Sequence, residues 1–191
     1  MLSKNIKFKN FSIKKKKLIT LNNFNKLKKD YLKKDLKSLL TLSKNYNYSY
    51  KKKIIKKYKN FQNFIVIGVG GSILGTKAIY QFLNHKIKKK FIFVNNLNPK
   101  LESFKKKIKA TNIIISKSGN TLETVANSNL LIKKNKNIFI TENTNNYLRK
   151  LGEKLKSDII DHKNFIGGRF SVLSEVGMLP AELMGLNESK F

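Results

Sequence analysis

Two short stretches of this sequence carry the groups needed to grip an anion. Residues 68–75, GVGGSILG, close an apolar run with glycines and set Ser72 directly behind them. Gly70 and Gly71 let the backbone turn tightly and bring N–H groups near a ligand. Ser72 then falls in the first turn of a helix, where free amides and the positive dipole end attract phosphate. Residues 116–121, SKSGNT, repeat the idea: Ser116, Ser118 and Thr121 supply hydroxyls, and Gly119 permits an unusual turn before a helix opening near residue 121. Two hydroxyl-rich helix starts can converge on one phosphomonoester. A plainer reading stands beside this one, in which Ser72 and Thr121 only cap their helices.

Larger phosphate ligands fit the glycine corner poorly. A dinucleotide fingerprint starting at Gly68 needs glycine at 73, where Ile73 stands, and an acidic residue at the end of the next strand, which closes in Asn95–Asn96. From Gly70 to Gly75 the spacing matches a nucleoside-triphosphate loop, but Thr76 follows and Lys77 comes one place late. One residue on a helix rotates a side chain by about 100 degrees, off the phosphate. No aspartate ends a neighbouring strand to hold magnesium. The ligand expected is therefore a small phosphorylated molecule, with neither a metal nor an organic cofactor.

Composition narrows the setting. The formal charge of +30 invites a nucleic-acid reading, yet of 41 basic residues only Arg149 and Arg169 are arginines, the side chain that reads bases and phosphates with a bidentate fork. Lysine abundance travels with asparagine and isoleucine along the whole chain, as an AT-rich genome would write on any soluble surface. No specific nucleic-acid partner is expected. The chain has no cysteine, which excludes disulfide frameworks and thiolate metal sites and suits a reducing cytoplasm. Its longest apolar runs are strand-sized, short of the roughly 20 residues of a membrane helix. The N-terminus, MLSKNIKFKNFSIKKKK, lacks the continuous apolar segment and cleavage site of a signal peptide. A cytoplasmic protein without a membrane partner is expected.

The elements that must position the two loops are legible as alternating patterns. Near-continuous apolar runs at 64–69, 91–96, 112–117 and 137–142 read as strands covered on both faces. Helical patterns follow at 72–84, 99–108, 121–133 and 145–156; Asn98–Pro99 opens the second, and Asn120 with Glu123 resembles a capping box at the third. Repeated strand–helix units imply an α/β fold, a doubly wound parallel sheet flanked by helices, with ligands at the carboxyl ends of the strands. Residues 1–60 hold most of the lysine runs and read as a basic helical N-terminal extension, with helices over 24–42 and 49–59, ahead of a domain at 61–191.

Taken together, IGVGGSILG, SKSGNTLET and FIGGRFSVLSEVG, in this order and at this spacing, resemble the glucose-6-phosphate isomerase (phosphoglucose isomerase) family. The first two motifs are shared with the wider sugar-isomerase (SIS) phosphosugar-binding domain, and GGRFS is more particular to the isomerase. The resemblance covers residues 62–185. It implies that Gly71 and Ser72 contact substrate, and that Ser116, Lys117, Ser118, Gly119, Asn120 and Thr121 enclose the sugar phosphate. It also implies that Gly168 and Arg169 lie near the reacting carbons, with Arg169 catalytic. Asn120 replaces a threonine usual in the family. Glu175 stands where the family has a small residue or proline, so this carboxylate must find a partner or reach solvent.

The chemistry implied is reversible aldose–ketose isomerisation of glucose 6-phosphate and fructose 6-phosphate. A base moves a proton between C1 and C2 through an enediol(ate), and the Arg169 guanidinium stabilises the developing oxyanion. A structural salt bridge is the plainer role for Arg169. The family's catalytic glutamate, ring-opening histidine and a late lysine lie downstream of GGRFS, and the chain ends at Phe191 before them. The resemblance thus implies the N-terminal part of such an enzyme, a fragment or a split-gene product, and a homodimer for the complete protein. His85 and His162 are poor substitutes, as is an Asp161–His162 pair. Two other readings compete: a non-catalytic phosphosugar-binding regulatory module, which has no need of GGRFS, and a basic nucleic-acid binder, whose steeply salt-dependent affinity would survive loss of Ser72 and Ser118.

Overall fold

A computed structural model describes residues 17–33, 37–43, 46–97, 101, 109–132 and 137–191. The chain divides into two compact units, residues 1–40 and 41–191. In the first, α1 (Lys17–Leu32) is followed by a turn of 3-10 helix that begins at Lys37 and runs to Leu42. The single helix expected over 24–42 is therefore two elements of different type. Leu21, Phe24, Leu27 and Leu32 of α1 are exposed.

The second unit is a five-stranded sheet: β1 (Asn63–Ile67), β2 (Lys90–Val94), β3 (Thr111–Ile115), β4 (Asn137–Thr141) and β5 (Asp158–Asp161). All neighbours are parallel, in the order β2-β1-β3-β4-β5. Four strands lie where the apolar runs place them. The fifth, DIID, carries an aspartate at each end, so it lacks the apolar run that marks the others, and a short charged strand suits a sheet edge.

Alternation of side chains splits the core in two. Phe64, Val66, Ile113, Ile115, Ile138 and Ile140 face α2 (Lys52–Tyr58), α3 (Gly71–Phe82) and a helix at the chain's end (Glu175–Leu183). Ile65, Ile67, Ile114 and Phe139 face α4 (Leu122–Leu131) and α5 (Tyr147–Lys154). The end helix is α6. Both faces are covered, which is why the strands read as unbroken apolar runs. The sheet-bearing unit also takes in 41–60, where Tyr50 and Tyr58 are buried in the first core. The helix expected at 99–108 lies outside the described residues apart from the buried Leu101. Among the described residues no helix is long and apolar enough to cross a membrane.

The buried Glu175 carboxylate has its partners. It opens α6 at 0% exposure, behind the N-cap Ser174, and accepts hydrogen bonds from the Tyr46 hydroxyl (3.0 Å) and the Ser49 amide (3.1 Å); the Ser49 hydroxyl oxygen, 2.8 Å away, shares its one hydrogen with the Asp161 carbonyl at 2.5 Å. These donors offset the desolvation of the carboxylate. They also fix the chain ahead of α2.

Candidate functional site at the strand switch point

The strand order reverses between β1 and β3, since the chain leaves β1 for β2 on one side and returns to β3 on the other. A crevice at the carboxyl ends of those two strands is where open α/β sheets take ligands. Both stretches expected to grip an anion sit there. The glycine corner follows β1 directly, and the hydroxyl loop follows β3.

At the corner, Gly70 takes a positive φ of 57°, which an L side chain resists, and α3 starts at Gly71 with no side chain capping it. A β-carbon on Gly68 would lie 2.9 Å from the Ile115 carbonyl oxygen and 3.2 Å from the Ser72 β-carbon, which sets Ser72 beside the root of the second loop. Ser72 is half-buried, and its hydroxyl has no hydrogen bond among the described residues. It is not a cap.

The hydroxyl loop is wired internally. Ser116 Oγ and Thr121 Oγ1 are 3.0 Å apart, and Ser118 Oγ is 3.5 Å from the same Thr121 oxygen, so three hydroxyls cluster at one point. The Gly119 amide donates to Ser116 Oγ (3.2 Å) and the Asn120 amide to Ser118 Oγ (3.3 Å). A hydroxyl has two lone pairs and one O–H. The two amide bonds take a lone pair each from Ser116 and Ser118, and the two contacts within the cluster use two of its three hydrogens, so one O–H of the cluster is left to offer an anion. Gly119 holds φ at 68° and presses against Asn146, whose Oδ1 an added β-carbon would meet at 1.9 Å.

Thr121, rather than Asn120, is the N-cap of α4, and its side chain makes no cap bond. The capping box expected from Asn120 and Glu123 does not form, because the Asn120 side chain is engaged elsewhere. Its Oδ1 accepts the Tyr147 amide (2.9 Å), while the Gly119 carbonyl accepts the Leu148 amide (3.1 Å) and Asn146 caps Arg149 (2.9 Å). The first two free amides of α5 are thus satisfied by the loop itself.

Lys117 points its charge away from the hydroxyl cluster's work. Its Nζ donates to the Asn164 carbonyl (2.7 Å) and pairs with Glu142 (3.5 Å). Asn164 belongs to the segment leading to GGRFS, which reaches the corner from the other side. A β-carbon on Gly71 would lie 2.1 Å from the Gly168 carbonyl oxygen and 2.9 Å from the Arg169 nitrogen. Ser171, fully buried and missed from sequence, sits with its hydroxyl oxygen 3.2 Å from the Gly71 carbonyl and 2.7 Å from the Gly168 carbonyl. Gly75 meets Val172 in the same way at 2.7 Å. The spacing of Gly71 and Gly75, four apart on one helix face, was the available signal for this close seam.

The two arginines differ sharply. Arg149 is tied to Asp161 (2.8 Å) and Glu153 (3.6 Å), which also removes Asp161 from any pairing with His162. Arg169 is exposed, with no hydrogen bond or ion pair among the described residues. Its backbone abuts Gly71, and its side chain lines a shallow cavity of about 470 Å³ with Leu74, Gly75, Ala78 and Val172; Ser72 and the hydroxyl loop are not in that lining. His162 is buried, with Nδ1 3.1 Å from the Lys163 carbonyl; burial above all, and the Lys117 charge with it, lower its pKa, while that hydrogen bond and the Glu175 and Glu142 charges act the other way. Among the described residues no cluster of histidine and acidic side chains could hold a metal ion.

Comparison with known proteins agrees with this fold. The sequence pattern of the family described as phosphoglucose isomerase matches residues 32–189. Glucose-6-phosphate isomerase of Methanocaldococcus jannaschii is 39% identical over 149 residues, which cover 71% of this chain and 37% of that enzyme. The chain thus spans little more than a third of the length of such relatives. Among solved structures, a hypothetical protein of Thermus thermophilus matches with a TM-score of 0.63 and 25% identity, over 72% of this chain and 37% of that one. The tagatose-6-phosphate ketose/aldose isomerase of Escherichia coli shares the fold, with a TM-score of 0.58 and 14% identity over 73% of this chain and 43% of its own. The chain belongs to the phosphoglucose isomerase family.

Proposed function

We propose that this chain supplies the phosphate-binding half of a site that interconverts glucose 6-phosphate and fructose 6-phosphate. The observation that carries the reading is the hydroxyl cluster of Ser116, Ser118 and Thr121, the first two of which accept loop amides, set at the switch point beside a Ser72 hydroxyl with no partner among the described residues. Such donors, together with the amides that open α4, suit a phosphate dianion. Gly71, Ser72, Ser116, Ser118, Gly119, Asn120 and Thr121 would hold the phosphate end, Lys117 adding its main chain. Gly168 would let the backbone approach the sugar.

Among the described residues Arg169 is the candidate for the reacting end. Its guanidinium has no partner among them to give up, and swung from its apolar cavity past Gly71 it would face C1 and C2 of a sugar held by its phosphate. A permanent positive charge there stabilises the enediolate more than the neutral ground state, which accelerates proton transfer rather than binding. The base that moves the proton is assigned to the part of the family's length that this chain does not span. A homodimer and a cytoplasmic location belong to the same proposal.

A coupled assay on the whole protein tests it: glucose 6-phosphate should yield fructose 6-phosphate without added metal. Arg169→Ala is expected to lower kcat by about 100-fold and to change KM by less than about threefold. A raised KM with kcat intact would remove Arg169 from the chemistry. Binding of the sugar phosphate with no turnover by the folded whole protein would leave a binding module instead.

A further inference from the structure

Building on that proposed reading, we infer that Lys117 is a positioning residue, whose ammonium ties the hydroxyl loop to the turn that carries Arg169. Family resemblance alone would number it among the groups enclosing the phosphate. Its side chain is instead committed on the far side. Two acceptors, the Asn164 carbonyl at 2.7 Å and the Glu142 carboxylate at 3.5 Å, engage its donors. The same residue's carbonyl accepts the Glu142 amide (3.1 Å) and the Thr141 hydroxyl (3.4 Å), so main chain and side chain are both anchored at the end of β4.

What the ammonium holds is short and stiff. Four residues separate Asn164 from Arg169, and among them Ile166 is fully buried with its amide bonded to the Lys163 carbonyl. The next turn closes through the Phe170 amide on the Gly167 carbonyl, and Gly168 is pressed against Gly71. The Arg169 turn is therefore held from two sides, by the corner through Gly71 and Ser171, and by the hydroxyl loop through Lys117. A lysine suits the place because a compact ammonium serves a carbonyl and a carboxylate together.

Two measurements test this, and they fail separately. Amide hydrogen exchange on the unliganded protein reads the strap itself. Ile166 and Phe170 should exchange about tenfold faster in Lys117→Met, while Lys117→Arg, which keeps a donor at Asn164, should stay close to the wild type. Unchanged exchange in Lys117→Met overturns the inference whatever the protein does with sugars. Kinetics of the whole protein then read the coupling. Lys117→Met should lower kcat about tenfold with KM nearly constant, and adding it to Arg169→Ala should cost little more than Arg169→Ala alone. A KM raised about tenfold by Lys117→Met, multiplying with the Arg169→Ala loss, would show direct phosphate binding and overturn the positioning role. Faster exchange in a protein that turns over no sugar phosphate would keep the strap and reject the isomerase.

Discussion

The glycine corner after β1 and the hydroxyl loop after β3 face one switch point, and they are built by opposite means. The corner is ordered by contact: Gly71 lies against the Gly168 backbone and Gly75 against Val172, while the Ser72 hydroxyl bonds to nothing among the described residues. The loop is ordered by hydrogen bonds, from the amides of Gly119 and Asn120 inside it and from those of Tyr147 and Leu148 at α5. One is a shape and the other a circuit. Added volume should therefore break either one, at Gly71 or at Gly119, but a missing side-chain hydroxyl should break the loop alone.

The largest effect belongs to Gly71→Ala. Its new β-carbon would stand 2.1 Å from the Gly168 oxygen and 2.3 Å from its carbonyl carbon, both backbone atoms that cannot rotate aside. The Arg169 turn must move, at a cost of about 3 kcal/mol, and sugar-phosphate turnover should vanish with it. Gly168→Ala is the control, since its β-carbon meets nothing within 4 Å, and it should stay within about 0.5 kcal/mol of the wild type. Urea unfolding of the two variants decides the point. Equal stabilities would mean that the corner does not depend on this contact.

How much of this could be read beforehand follows from how local each feature is. β1 to β4 announce themselves because burial on both faces demands apolar residues in a row. β5 needs to satisfy fewer neighbours at the edge, so DIID leaves no such run. Gly70 and Gly119 were legible because positive φ is a property of a residue in its own turn. The partners were not. Nothing near Gly71 in sequence says that its backbone meets Gly168, and nothing near Lys117 points to the carbonyl of Asn164. Glu175 marks the boundary: a carboxylate among apolar neighbours announces a need, while Tyr46 and Ser49, which meet it, lie far upstream. Asn120 misled for a related reason, since a side chain that can cap its own helix was used to cap the next.

Removing single hydroxyls should separate the two designs more finely. Ser116→Ala deletes a donor proposed for the ligand and also the acceptor for Gly119 and a partner of Thr121. It should lower stability by about 1 kcal/mol and weaken sugar-phosphate affinity by about tenfold. Ser72→Ala deletes a hydroxyl with no partner among the described residues, so affinity should fall by a similar factor with no loss of stability. Paired calorimetry and thermal unfolding check both. A destabilised Ser72→Ala, or an affinity untouched by it, would contradict a spare donor at the corner.

The smallest effect is a pH dependence confined to the loop's side of the site. That side backs onto a buried titrating group, His162, whose pKa is lowered chiefly by burial and further by the Lys117 charge. The sign follows from the unfolded chain, where a histidine protonates near 6.5. Above that pH both states are neutral at this position and its contribution to stability is complete. As pH falls from about 6.5 toward the lowered folded value, the unfolded state binds the extra proton and stability declines, by at most about 1.4 kcal/mol per pH unit from this one group. Comparing unfolding at about pH 7 and about pH 5.5, on either side of the unfolded value, His162→Gln should show a shallower decline than the wild type, and Ser72→Ala should keep the wild-type slope. A slope that persists in His162→Gln would place the acid sensitivity elsewhere. One that disappears in Ser72→Ala would mean that the two corners are energetically one structure, against the division drawn between packing and hydrogen bonding.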